Sequence, residues 1–308
     1  MRTVLIGVLT FSISVCFGED FNKKKYNQGR NFCFFNGEKY LNINEGTIEA
    51  WIYIDYDLRD NFQVDPAYRV SPFTLCFTTD KFGNYPKFEN GKELVPMVDI
   101  RGSNHMKKIF KDGKLIKTIN AHELIFLTNL GRESKDGAPF MPLSVRFDFQ
   151  KLGWEKKGWH FIAFTWKRNG ETFEITGTCD GATKTKSGPT NNYIKRDKEI
   201  FILGAALGRQ NMCKLDTFKL SDKVRSIEEL QQSIQQGIKK DASAKLFHSG
   251  ESLSKLSVMR LRPEWIRDAT KKISKKEPRY RNSGSIFKKS KTVEGKFNKA
   301  ITFYLSEN

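Results

Sequence analysis

Histidine and cysteine are scarce in this 308-residue chain, with four of the first and five of the second. Among the scattered histidines there is no metal-spaced pair, no Ser-His-Asp order and no phosphate-cradling glycine loop beside them. No two cysteines stand in a Cys-x-x-Cys pair, which argues against a zinc site. Long apolar runs are missing too. The one clear apolar stretch, residues 4–15, falls short of the about 20 residues that cross a bilayer, so no transmembrane span is expected. Apolar residues make up only 38% of the chain against 29% charged, so a core requires the apolar content to be concentrated. The 25 phenylalanines point to where, because phenylalanine suits a pleated, half-buried surface. The length accommodates one large β domain with extras, or two small domains.

Arg2 supplies a positive start, residues 4–15 an apolar centre, and Cys16 and Gly18 the small residues that a signal peptidase reads. Residues 1–18 are therefore expected to be a signal peptide cleaved before Glu19, which gives a secreted, extracellular or cell-envelope protein. A lipid anchor at Cys16 is the competing reading, disfavoured by the bulk of Val15. Export leads to an oxidising compartment where Cys33, Cys76, Cys179 and Cys213 can pair. Spacing does not choose among the three pairings. Cys179 with Cys213 is the candidate disulfide, since both lie late in the β-rich region, and four buried thiols in strands is the alternative.

The strongest element is Trp159-His160-Phe161-Ile162-Ala163-Phe164-Thr165-Trp166. Aromatic and β-branched residues fill both phases of its period-two pattern, so this strand is expected to be covered on both faces. Asn169-Gly170 then turns it into a second strand over residues 171–176. Further strands are expected at 31–35, 40–43, 47–55, 72–77, 124–127, 143–149, 200–204 and 215–220, with a hairpin of 107–111 and 115–119 around Asp112-Gly113. Within 47–55, Ile48, Ala50, Ile52 and Ile54 share the face that should meet the core. A helix opens with a capping box, Ser226 to Glu229, and presents Ile227, Leu230 and Ile234 on one side before Gly237 stops it. About a dozen short strands ending in one helix suit an all-β, two-sheet sandwich.

The order of these pieces is similar to the laminin-G-like domains of the concanavalin A-like lectin and glucanase superfamily. The resemblance rests on residues 46–53, 158–166, Cys179-Asp180-Gly181, Ile202-Leu203-Gly204, residues 215–220 and the helix at Ser226, and covers about residues 26–236. It implies an antiparallel jelly roll, commonly secreted and commonly non-catalytic. Cys179 stands where the family often has valine or isoleucine, and residues 57–143 are longer and less regular than in compact members. Relatives often hold Ca2+ between loop carboxylates, which makes Ca2+ a candidate cofactor; Asp180 and Asp216 occupy family turn and strand positions and are assigned structural roles first.

Residues 19–236 thus form the expected domain and residues 237–294 a basic linker with a short helix at 263–273. Residues 295–303 resemble the opening strand of the same family, either starting a second module or completing the first sandwich. From residue 237 onward there are 18 Lys and Arg against 7 Asp and Glu. This tail reads as a solvated linker, with attraction to an anionic envelope surface and nucleic-acid binding as the other readings; export argues against nucleic acid.

Glucanases of this superfamily carry Glu-x-Asp-x-Glu on one strand, which puts nucleophile and acid about 5 Å apart. The nearest match, Glu49, Asp55 and Asp57, has the wrong spacing and reads as solvent-facing strand ends. His160 reads as a packed histidine. Loop aromatics that can stack on sugar rings are Tyr68, Tyr85, Phe88, Trp154 and Tyr193. The reading is a non-catalytic binding module for a glycan or an extracellular protein. A hydrolase of the same superfamily and a structural or adhesion segment are the alternatives.

Overall fold

The computed structural model describes residues 32–54, 74–79, 97–133, 142–154, 156–192, 200–204, 213–250, 252, 284–286 and 292–302. Among them fifteen strands and three short helices follow in chain order: β1 (Phe32–Asn36), α1 (Gly37–Tyr40), β2 (Glu45–Ile54), β3 (Thr74–Thr79), β4 (Asp99–Lys111), β5 (Lys114–Arg132), β6 (Pro142–Asp148), α2 (Phe149–Leu152), β7 (Gly158–Asn169), β8 (Thr172–Cys179), β9 (Ala182–Pro189), β10 (Ile200–Gly204), β11 (Cys213–Ser221), α3 (Ile227–Gln236), β12 (Ala244–Ser249), β13 (Gly284–Ile286), β14 (Thr292–Glu294) and β15 (Lys299–Thr302). They form two antiparallel sheets, a jelly-roll sandwich. The seven-stranded sheet has the order β13-β1-β10-β3-β4-β5-β6; the eight-stranded sheet has β14-β15-β11-β2-β7-β8-β9, with β12 added on β11. No helix among the described residues is long and apolar enough to cross a membrane.

The alternation in the sequence decides what lies between the sheets. Ile48, Ala50, Ile52 and Ile54 of β2 meet Ile162, Phe164 and Trp166 of β7, Phe173 and Ile175 of β8, and Phe126, Val145 and Phe201 of the facing sheet in one buried cluster. Each fully buried side chain of this size contributes about 1.5–3 kcal/mol. The opposite phase of β7 is buried as well: Phe161 and Ala163 join Trp51, Leu230 and Ile238 in a second cluster outside the sandwich. β7 is covered on both faces, as its composition requires.

Several elements differ from the sequence reading. Residues 40–43 are no strand; Gly37–Tyr40 makes a helical turn, with Leu41 N–H on Gly37 O at 2.8 Å. The hairpin strand at 115–119 and the strand at 124–127 are one continuous β5. β9 and β12 carry too few apolar residues to show a period, and both are held by backbone pairing along their neighbours β8 and β11. β12 lies inside the stretch read as linker. β15 pairs with β11, Lys214 opposite Thr302 and Leu215 opposite Ile301, so this strand stands in the first sandwich. The helix proposed at 263–273 lies outside the described residues.

The Cys179–Cys213 bridge is also corrected. Cys179 ends β8 and Cys213 begins β11, with β7 and β2 between them in the sheet. Three strand spacings alone put about 14 Å between them across the sheet, and an offset along the strands adds to it, well beyond the 4.4–6.8 Å between Cα atoms in a disulfide. Both are buried, and burial, then the neighbouring charge of Asp180, pushes the Cys179 thiol well above its ordinary value.

Candidate functional site

The outer face of the eight-stranded sheet divides in two. Over β11, β2 and the start of β7 it is roofed by α3. Ser226 accepts from Glu229 N–H at 3.2 Å while the Glu229 carboxylate accepts from Ser226 N–H at 2.8 Å, the capping box read from the sequence. Gly237 ends the helix at φ 82°. Leu230 is buried and Ile234 packs on the same cluster, but Ile227 is exposed.

Glu49 reads from the sequence as a solvent-facing carboxylate and is instead fully buried under this roof. Ser233 Oγ donates to it at 2.6 Å, and Arg225 Nε and Lys219 Nζ lie 3.1 and 3.8 Å away. Asp241 binds Lys219 and Arg225 at 2.5 Å each. Burial pushes the Glu49 carboxyl up, against the Ser233 hydrogen bond and the Arg225 and Lys219 charges. For Asp241 burial acts upward too, but hydrogen bonds from Lys219, Ser243 and Arg225 and the Lys219 charge outweigh it and hold the carboxyl well below the usual carboxylate range. This network ties α3 to the sheet, with Glu49 Oε2 and Arg225 Nε buried as an ion pair that makes no hydrogen bond.

Toward β8 and β9 the cover ends: Ala163, Thr165 and Thr178 are buried at its margin, and beyond them the outer face opens toward the edge strand β9. Its outward positions form a grid set by the strand register: Ala163, Thr178 and Thr183 in one row, Thr165, Thr176 and Thr185 in the next, then Lys167, Glu174 and Ser187. Rows lie about 7 Å apart along the strands and columns about 4.8 Å apart. Thr176 and Thr185 share a 2.9 Å hydrogen bond, Thr178 and Thr183 one of 3.4 Å, and Ser187 donates to Glu174 at 3.4 Å. The N-terminal turn of α3 forms a wall beside the grid, and the trough between them holds about 200 Å³.

At the far end of β8 and β9 the grid opens into a groove of about 550 Å³ lined by Arg132, Glu171, Thr172, Ser187, Thr190 and Asn192, with Gly188 and Pro189. Thr172 and Ser187 belong to the outward face and to the groove, so the two are continuous. The walls are rigidly built. Thr190 N–H bonds Glu171 O at 2.8 Å and its hydroxyl bonds Gly170 O at 3.1 Å; Arg168 holds the Asn192 amide oxygen at 2.9 Å. A volume of this size fits a ligand of several polar groups.

The aromatic residues read from the sequence do not build this site. Tyr68, Tyr85, Phe88 and Tyr193 lie outside the described residues, as do Asp55 and Asp57. Trp154 corrects the expectation of a loop-borne stacking face: it is 1% exposed. His160 stacks on its ring at 4.1 Å and its indole N–H donates to Asp180 at 2.8 Å. Asp180 also accepts from Phe161 N–H at 2.7 Å and shares a 2.8 Å hydrogen bond with His160, so His160 is the packed histidine it reads as. Asp216 sits at a bulge in β11 and accepts from Phe297 and Asn298 N–H at 2.6 and 3.0 Å. A Cβ at Gly295 would collide with that carboxylate and with Asn298 O. Both carboxylates thus serve turns, and among the described residues no three His, Cys, Asp or Glu side chains gather as a metal site. The sequence reading missed Arg132, Glu171 and the threonines, although Thr-x-Thr occurs twice, at 176–178 and 183–185.

No protein-family model matches the sequence, and no curated protein matches it. Solved structures similar to the chain include a heptameric SAP-like pentraxin from Limulus polyphemus, with TM-score 0.37 and 10% identity over 73% of this chain and 89% of that one. The binding domain of Botulinum neurotoxin DC, solved with rat synaptotagmin II, gives 0.34 and 13% over 63% of this chain and 37% of that one. The enzymatically active domain of Bacteriophage CBA120 tailspike protein 2 gives 0.32 and 9% over 66% of this chain and 26% of that one. The chain spans little more than a third of the neurotoxin chain. The sandwich assignment rests on the chain's own strand pairing.

Proposed function

We propose that the chain is a non-catalytic binding module that takes an extended glycan along the unroofed half of the eight-stranded sheet, from the groove at Arg132 and Glu171 to the trough beside α3. The observation that carries this is the accessible part of the grid, Thr183, Thr185, Thr176, Ser187 and Thr172, running into the groove. Sugar hydroxyls donate and accept at once, and threonine and serine hydroxyls do the same at fixed spacing. Arg132 and Glu171 add charge-assisted hydrogen bonds at one end, and the threonine methyls meet the apolar faces of sugar rings. From the Thr172 row to the Thr178 row the face is about 20 Å long, which suits a chain more than a single small molecule. The grid positions are strand positions, fixed by ladder hydrogen bonds. The signal-like leader and the laminin-G-like order of motifs agree with an extracellular or envelope ligand.

Glycan-array screening followed by calorimetric titration of the full chain tests the reading. Arg132→Ala and Thr176→Val with Thr185→Val should each weaken binding about tenfold while leaving the unfolding midpoint in place. Binding unaffected by both would refute the site. Release of new reducing ends from any polysaccharide would replace the binding module with a hydrolase, and retention of an extracellular protein with no glycan would replace the ligand class.

A further inference from the structure

A different part of the molecule points to a second interaction. β4 and β5 pair with each other from Asp99 with Leu127 out to Lys111 with Lys114. Their neighbours support only the base: β3 pairs with β4 at Asp99, Ile100 and Arg101, and β6 pairs with β5 from Glu123 onward. Among the described residues, 102–122 therefore form a two-stranded arm with no strand on either side. About ten residues per strand give it a length of about 30 Å. A two-stranded ribbon of this kind buries little of its own surface and is marginal in water unless it packs on something.

The tip states what that partner is. Asp112 and Gly113 both have positive φ, 51° and 75°, which makes a tight turn whose twist matches the strands. Directly after it Leu115 and Ile116 are 50% and 57% exposed, two of the four exposed large apolar side chains among the described residues. Residues 104–122 hold five lysines, at 107, 108, 111, 114 and 117, against the single acid Asp112. Exposed aliphatic side chains at the point of a projecting hairpin whose sequence is rich in lysine match a surface that is anionic outside and apolar just beneath. A single-stranded nucleic acid would call for exposed aromatic faces to stack on, whereas the large apolar side chains exposed at this tip among the described residues, Leu115 and Ile116, are aliphatic. We infer that the β4–β5 hairpin docks the protein on an anionic lipid surface, with Leu115 and Ile116 entering the headgroup–acyl boundary and the lysines bonding lipid phosphates and carboxylates. The groove takes only Arg132, at the opposite end of β5, from this sheet, so the hairpin tip and the glycan face are separate surfaces.

The test is co-sedimentation of the full chain with phosphatidylserine–phosphatidylcholine vesicles and with phosphatidylcholine vesicles alone. The wild type should sediment with the first and not the second. Leu115→Ser with Ile116→Ser, which keeps every charge, should lower the bound fraction several-fold. Lys111→Glu, Lys114→Glu and Lys117→Glu together should lower the partition constant by about tenfold or more. Lys114, Leu115 and Ile116 are exposed, and circular dichroism of each variant checks that the sandwich is intact. Lys271→Glu with Lys272→Glu, in the basic tail, should leave most of the binding. In a Leu115→Trp variant, vesicles of brominated lipid should quench fluorescence beyond the wild-type loss. No sedimentation with either vesicle, binding equal in the tip variants and the wild type, or binding lost only in the tail variant would each overturn the inference.

Discussion

The two halves of the outer sheet face are built from the same alternation and have opposite fates. Over β2 and β11 the outward residues are Glu49, Trp51, Thr217 and Lys219, all buried, and α3 lies on them. Trp51 donates its indole N–H to Ser233 O at 3.2 Å, and Phe297 from the β14–β15 turn meets its ring edge at 5.4 Å. Over β8 and β9 the outward residues are threonines, serine and Glu174, with exposure rising toward the edge strand. The roofed half is chemically diverse and closed off from water by α3; the open half is repetitive, and the hydroxyls of Thr183, Thr185 and Ser187 stand exposed on it. Polar residues on the outside of a sheet are therefore two different things. An isolated charge between large aromatics belongs to a second packed layer, and a run of like, small hydrogen-bonding groups belongs to a surface.

Substitutions can break that contrast. The largest effect is expected at Glu49: Glu49→Ala leaves the buried Arg225 and Lys219 without their carboxylate and should cost about 3–5 kcal/mol in denaturant unfolding. Glu174→Ala, the outward carboxylate of the open half, should change stability by less than about 0.5 kcal/mol; equal costs would dissolve the distinction. Asp216→Ala abandons two backbone N–H groups and the Thr217 hydroxyl and should cost about 2–3 kcal/mol. Ser226→Ala removes the helix cap and should cost about 1 kcal/mol by the same measurement.

Acid offers a gentler probe of the roof. Asp241 has a depressed carboxyl, so the stability it contributes is present above its ordinary value of 3.8 and is lost as pH falls below that. Glu49 has the opposite sign: with its carboxyl raised, its contribution is greatest below its ordinary value of 4.5 and declines as pH rises through the folded-state value. Asp241→Asn should flatten the acid limb of a stability-versus-pH profile. The effect is modest because the Asp241 side chain is 40% exposed and screened. An unchanged limb would remove Asp241 from the network.

Most of the scaffold was readable in advance because its signals are local. The two-phase burial of β7, the core face of β2 and the Ser226 box each follow from a few adjacent residues. The roof was not readable, because Glu49 and Arg225 are far apart in the chain and nothing near Glu49 says that a helix will cover it. The proposed binding face was not legible for another reason. Aromatic composition points to Trp154, whose size and single N–H make it a core residue once Asp180 and His160 supply its partners. β9 was invisible because its outward residues are threonine and serine and its inward Lys184 and Lys186 reach the Arg146 carbonyl and Glu133 at the sheet edge.

The most direct test of the division is a glycan titration of the wild type beside Thr176→Val with Thr185→Val, each paired with its unfolding curve. The double variant should unfold within about 0.5 kcal/mol of the wild type and bind about tenfold more weakly. Binding at wild-type strength, or a loss that appears only with a matching loss of stability, would contradict that division.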